Sequence, residues 1–454
     1  MQWNQAAMKH LSLLLVLAVL GGCTLAGTAP DYQQQAITER DHAASWPSPG
    51  PATTAGLNQL IADDELDALV TEALQANPGL QQTLLSVQIY QAQWRQAFGQ
   101  RLPSVELGGT AAKVEDAGST FSTSLTVSWQ LDLWQSLSDR SRAAGKDVEQ
   151  QQQLYQLARD TLAANVMDAW LALIAQQQTI AIQRKRLETL TNNANFIVQR
   201  YRNGTGSLDD LTTARTVLAS EQANLESYTE TLLQQQRALR TLLGRSQGAP
   251  VAVADTFPDV ITPLADLPEQ TLARRPDLQA AYAAIEAADL RSSAAYKDLL
   301  PSINLEAALL DSDGNLNDAL LTGPLWSLLG QLTAPLYKGG QLQAAADIAE
   351  LETAQAYQGY RDTLYNAVTE VENALGLEQS LARQQVHIED ALANATINLT
   401  QYRSSYRSGL ASILDLLTVE QKTYDLQNQL NDLIYQRLSN RVNLGLALGL
   451  GVTL

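Results

Sequence analysis

From Phe121 to Leu133 apolar and polar residues alternate without a break. Phe121, Thr123, Leu125, Val127, Trp129, Leu131 and Leu133 fall on one side; Ser122, Ser124, Thr126, Ser128, Gln130 and Asp132 fall on the other. Period-2 alternation predicts a β-strand with one apolar and one wet face. Val105, Leu107, Gly109 and Ala111 alternate with Ser104, Glu106 and Gly108, and the polar stretch Lys113 to Thr120 reads as the turn between two strands. Ile303, Leu305, Ala307 and Leu309 repeat the pattern later, and a fourth, less regular strand is expected over 325–337. Strands of roughly ten residues, apolar outward and polar inward, carry the weak signature of a membrane barrel. A soluble sandwich with one wet face alternates in the same way.

The remainder follows a helical period. No proline occurs between Pro103 and Pro250 or after Pro335. Ser138 to Arg202 is rich in Gln, Ala, Leu and Arg, and as a helix it is on the order of 100 Å long. Val166, Leu173, Ile180 and Leu187 recur every seventh residue, as do Leu211, Leu218, Leu225, Leu232 and Leu239. That spacing marks coiled-coil packing of two antiparallel helices. The stretch Tyr201 to Arg215 contains a Gly followed by a Ser N-cap, the punctuation of a tight helical tip. Tyr406 to Glu420 matches it without a gap: Gly409 answers Gly204, Ser412 answers Ser207 and Asp415 answers Asp210.

The chain is an internal duplication. Residues 77–107 align with 275–305 at a constant offset of 198, so that Pro78 meets Pro276 and Leu102-Pro103-Ser104 meets Leu300-Pro301-Ser302. At the tips the offset is 205, so either the second long helix is one heptad longer or its junction with the strands differs. Each half offers a short helix, two strands and a long hairpin. Four strands cannot close a membrane barrel, whose smallest single-chain forms have about eight. Three chains supply twelve.

Composition narrows the function. A formal charge of −18 excludes a nucleic-acid binder, and a single cysteine excludes an intrachain disulfide. Three His and three Met offer no metal site. No nucleophile elbow, HExxH or phosphate loop is present, so an enzyme is not expected. Lys9 precedes the apolar run Leu11 to Leu20, which is too short to span a bilayer and reads as a secretory signal. Leu20-Gly21-Gly22-Cys23 looks like a bacterial lipobox. That resemblance implies cleavage before Cys23 and covalent diacylglycerol and N-acyl lipid on it, with no other cofactor. Thr24 in place of Asp favours the outer membrane by the same analogy. The expected organisation is a signal over 1–22, a lipidated, extended tether over 23–62, and a first repeat over 63–243. In that repeat, strands fall near 103–113 and 120–133, and a hairpin spans 138–243. A linker over 244–270 leads to a second repeat over 271–445, with strands near 301–311 and 325–337 and a hairpin over 340–445; a tail spans 446–454.

This order resembles the TolC-like outer membrane efflux proteins, in the lipoprotein branch serving resistance-nodulation-division pumps. It does so over essentially the whole chain from Cys23. The most specific stretches are TSLTVSWQLDLW (123–134), LARRPDLQAAYAAIEAADLRSSAAYKDLLPSINL (272–305), LTAPLYKGGQLQAA (332–345) and YRSGLASILDLLTVEQ (406–421). The resemblance implies a mainly α chain with four transmembrane strands. It implies a homotrimer with a twelve-stranded barrel on a periplasmic helical tunnel, closed at the helix tips until a membrane-fusion adaptor and inner-membrane pump engage. It implies acidic residues at the constriction. Asp415 matches the first such position, and Thr418 stands where a second acid is expected. Leu414 or Leu417 is then the alternative, apolar constriction. Tyr406 matches a tyrosine that holds the tips shut, Asp209 and Asp210 match the positions it reaches, and Arg403 or Arg407 is their expected cationic partner. A coiled-coil envelope spacer without a pore, and ducts for metal ions or for proteins, remain the alternatives.

Overall fold

The computed structural model describes residues 30–44, 46, 56–115, 118–263 and 268–453. Cys23, the signal and much of the tether lie outside the described residues. Helix α1 spans Tyr32–His42, a 3-10 turn Leu57–Leu60, α2 Asp64–Ala76 and α3 Pro78–Gly99. Strands β1 (Ser104–Val114) and β2 (Gly118–Leu131) lead into the hairpin of α4 (Ser136–Arg202) and α5 (Leu208–Leu242). After α6 (Pro268–Arg274) and α7 (Pro276–Lys297) come β3 (Ser302–Asp313) and β4 (Leu325–Thr333). The second hairpin is α8 (Gln341–Arg407) and α9 (Ile413–Ala447). Among the described residues no helix is long and apolar enough to cross a membrane.

The strands form one antiparallel sheet in the order β1-β2-β3-β4. Its register places Leu107 opposite Leu125, Leu125 opposite Leu309 and Leu309 opposite Trp326, so an apolar row crosses all four strands on one face. The other face carries Glu106, Ser124, Thr126, Ser128, Gln130, Asn304, Glu306 and Gln331. Among the described residues both β1 and β4 are unpaired along their outer edges. Two boundaries differ from the pattern-based expectation. Strand β2 ends at Leu131, because the Asp132 carboxylate turns back to accept from the amides of Leu137 and Ser138 at the start of α4. Strand β4 ends at Thr333, before Pro335 and the positive-φ pair Gly339 and Gly340 that redirect the chain into α8.

The two halves match in the lengths of their long helices. Helices α4 and α8 both have 67 residues, and α5 and α9 both have 35. The longer-helix alternative is therefore wrong. The seven extra residues lie between β3 and α8, mostly in the loop that joins β3 to β4. Asn77 caps α3 and donates from its side chain to the Leu242 carbonyl at the end of α5. At the equivalent place Arg275 donates to the Ala447 carbonyl at the end of α9. Gly244 ends α5 at φ +72°, and a Cβ built there lies 2.4 Å from the Ala76 carbonyl oxygen. Gly204 at the first tip has a similar φ of +74° and open space around it. Gly244→Ala is therefore expected to destabilise by about 1–3 kcal/mol, and Gly204→Ala by the smaller left-handed penalty alone. Denaturant midpoints of the two variants test the order.

The tether expectation is overturned over the described residues 30–44, 46 and 56–62. Asp31 caps α1 by accepting from the Gln34 amide. The helix docks on the second repeat through Tyr32 on Tyr357, Glu39 with Arg361 and Gln33 with Asp289. Ala36 and Trp46 join the core of Leu278, Ile285, Tyr360, Leu364, Val371 and Leu444. Leu57, Leu60 and Ile61 enter instead the core of the first repeat, with Val166, Trp170, Leu173, Leu239 and Leu243. The N-terminal segment thus straps both repeats together.

Candidate functional site

The two hairpin tips meet in a third apolar cluster. Leu190, Ala194 and Ile197 on α4, Leu211 and Ala214 on α5, Leu399 on α8, and Ile413, Leu416 and Leu417 on α9 are buried there. Tyr406 packs edge-on against Phe196, with ring centroids 5.9 Å apart. In this cluster Leu417 is 8% exposed, so its side chain is largely spent on packing within the chain. Leu414, Asp415 and Thr418 remain exposed on one face of α9.

Asp415 also has a structural duty. The Ser412 amide donates to its Oδ2 at 3.0 Å and the Ser412 hydroxyl at 2.7 Å, while the Asp415 amide donates to Ser412 Oγ at 3.1 Å. This reciprocal cap opens α9. The Ser412 hydroxyl, and then its amide, hold the Asp415 carboxyl below the usual carboxylate range, so it is anionic at neutral pH.

Arg403 donates to Glu420 Oε1 at 3.2 Å, and within the single chain no ion pair joins Arg403 or Arg407 to Asp209 or Asp210 among the described residues. Asn193 of α4 donates to Glu420 Oε2 at 2.8 Å. Nearby, Arg186 of α4 pairs with Glu221 of α5 at 3.2 Å and with Asp425 of α9 at 3.3 Å. Thr189 and Tyr424 share a hydrogen bond of 2.9 Å. A polar seam thus joins the first hairpin to the second, beside a cavity of about 150 Å³ lined in part by Arg186 and Glu420. Burial pushes the Glu420 carboxyl above its ordinary range, against the opposing pull of Arg403 and Asn193.

Sequence reasoning missed this seam. The signal was present: Ile413, Leu416, Leu417, Glu420 and Tyr424 share one helical face, and a carboxylate interrupts an apolar stripe. Glu221 interrupts the α5 stripe of Leu211, Ala214 and Leu218 in the same way.

A sheet with an apolar outer row, a polar opposite face and two long coiled-coil hairpins defines an outer membrane channel on a helical tunnel. Comparison with known proteins agrees. The family described as outer membrane efflux protein matches residues 69–245 and 267–450, and the chain belongs to that family. The cation efflux system protein CusC of Escherichia coli O6:H1 (strain CFT073) is 29% identical over 98% of each chain. The probable outer membrane lipoprotein SilC of Salmonella typhimurium is 25% identical, over 98% of this chain and 99% of that protein. A crystal structure of CusC superposes with a TM-score of 0.82 at 27% identity, covering 90% of this chain and 99% of that one. The chain is an outer membrane efflux channel, and its family is one of export ducts.

Proposed function

We propose that three copies close their sheets into a twelve-stranded barrel, anchored by lipid on Cys23, above a tunnel of twelve long helices. In this reading the periplasmic end docks a membrane-fusion adaptor and a resistance-nodulation-division pump. Drugs or other small molecules then pass outward without further energy input. The observation that carries it is the sheet itself: one exposed apolar face, one polar face and two unpaired edges. In water such edges invite aggregation; closure removes them. Relatives named for cation efflux suggest metal ions as a second cargo class. Cargo choice belongs to the pump, because a wide duct need not bind what it carries. Planar-bilayer recordings test the reading: discrete conductance steps support it, and protein that inserts without conductance refutes it.

The tips are the gate in this reading. Asp415, Leu414 and Thr418 from three copies face the axis, and a ring of like carboxylates favours cations over anions. Tyr406 holds the two hairpins of a copy together through Phe196. Asp209 and Arg407 are exposed and Asp210 half-buried, and in this reading they face the adjoining copy. Opening separates the hairpins and solvates Glu420. Because burial raises the Glu420 carboxyl, protonation favours the packed tip. That contribution is full below the ordinary glutamate range and is lost as pH rises through the raised native value. Basal conductance is therefore expected to rise from pH 4 toward neutrality. Glu420→Gln, which removes the titrating group beside Arg403 and Asn193, is expected to flatten that profile; an unchanged slope removes Glu420 from the gate.

A further inference from the structure

The start of α7 abuts the end of α9, where Arg275 donates to the Ala447 carbonyl. A cavity of about 520 Å³ opens beside this junction, walled by α4, α8 and the two abutting helices. That volume falls in the range of small-molecule sites, about 300–1,000 Å³. Neither the tips nor the barrel makes use of it.

Its polar wall carries an excess of negative charge. Arg275 donates to both carboxylate oxygens of Asp277, at 3.0 and 2.6 Å, and to Glu370 Oε2 at 2.8 Å. One guanidinium thus serves two carboxylates, and the Glu370 side chain is still 56% exposed. Asp160 lines the same cavity and is buried. Among the described residues its hydrogen bonds come from neutral donors, the Val452 amide and the Gln156 side chain. Burial pushes its carboxyl above the ordinary range, and a cation beside it would reverse that. Three carboxylates against one guanidinium call for positive charge. The remaining wall is largely apolar, with Leu157, Leu377, Leu446 and Leu450.

The duplication shows that the junction does not need these charges. At the start of α3, Asn77 donates to the Leu242 carbonyl just as Arg275 donates to that of Ala447. The equivalents of Arg275, Asp277 and Glu370 are Asn77, Gly79 and Asn165, all uncharged. A neutral amide suffices to join two helices end to end, so the ionic set of the second repeat has another task.

The cavity also has a definite direction. Gly445 of α9 packs on Leu57 and Leu60 of the strap, and Arg441 donates to the Val260 carbonyl. Asn443, on the opposite face of the helix, is exposed and lines the cavity. A strap tied to membrane lipid runs along the outer wall of a tube. The cavity on the other face then opens inward, onto the duct.

We propose that this cavity binds amphipathic organic cations, with Asp160 and Glu370 holding the charge and Leu157, Leu377 and Leu446 the apolar body. Binding needs only one chain. Its place on the conduction path rests on the tunnel reading above and deepens it by adding a stopping point for cargo in the duct wall.

The test uses the full-length protein in detergent and two ions of one shape and opposite charge, tetraphenylphosphonium and tetraphenylborate. Titration calorimetry is expected to show saturable binding of the cation at one per chain and no saturable binding of the anion. Asp160→Asn combined with Glu370→Gln keeps both side-chain shapes and is expected to weaken the cation at least tenfold. Leu377→Trp, at a half-exposed position, fills the cavity and is expected to do the same by bulk; denaturant midpoints verify that both variants fold. Equal binding of the two ions, or parental affinity in either variant, overturns the site. In planar bilayers the cation is expected to reduce the conductance of the parent channel and not that of the double variant. Binding without block overturns the placement on the duct. Absence of any conductance refutes the duct reading, and the calorimetry still decides the site.

Discussion

Leu125→Arg is expected to abolish accumulation of the channel in the outer membrane. Leu125 lies mid-strand in β2, in the apolar row with Leu107, Leu309 and Trp326. A lipid-facing arginine near the bilayer midplane costs about 2–4 kcal/mol, and in the proposed trimer that cost is met three times. Thr126→Arg, one residue on, points to the polar face and is expected to insert normally and shift ion selectivity toward anions. Membrane fractionation of the two variants reads the contrast. Equal insertion of both would mean that the sheet has no lipid-facing side.

Trp170→Ala is expected to destabilise each chain by about 3–5 kcal/mol, the range for removing a buried tryptophan. Trp170 is 1% exposed in the core that holds Leu57, Leu60, Val166, Leu173 and Leu239. Its indole Nε1 has no hydrogen-bond partner among the described residues, so the loss is one of packing alone. The denaturant midpoint checks it. The same core receives the N-terminal strap, so limited proteolysis near Leu57 is expected to accelerate in parallel.

The strands were legible because alternation is read directly from side-chain order. The hairpins were legible because glycine and serine punctuate the tips at matching places, Gly204 with Ser207 and Gly409 with Ser412. Helix α1 was not legible. Its few apolar residues, Tyr32, Ala36 and Ile37, give it only a weak period, and its stability comes from Asp31, Tyr357 and Arg361 rather than from its own periodicity. The site was readable in part. The exposed positions of Leu414, Asp415 and Thr418 follow from the tip alignment. The burial of Leu417 and the pairing of Arg403 with Glu420 depend on how two hairpins meet, which the spacing within one hairpin does not determine. The placement of the seven extra residues between β3 and α8 required the structure, because an offset counts an insertion without locating it.

The alignment says which residues are equivalent; the structure says which of two equivalent surfaces is covered. Ala283 is buried and Leu85 is not.

Electron microscopy of the detergent-purified protein tests the central claim most directly. A cylinder with a threefold axis, on the order of 100 Å or more in length from its 67-residue helices, with a barrel at one end, is the result expected. Elongated single chains without a threefold axis would contradict it, since four strands alone enclose no pore.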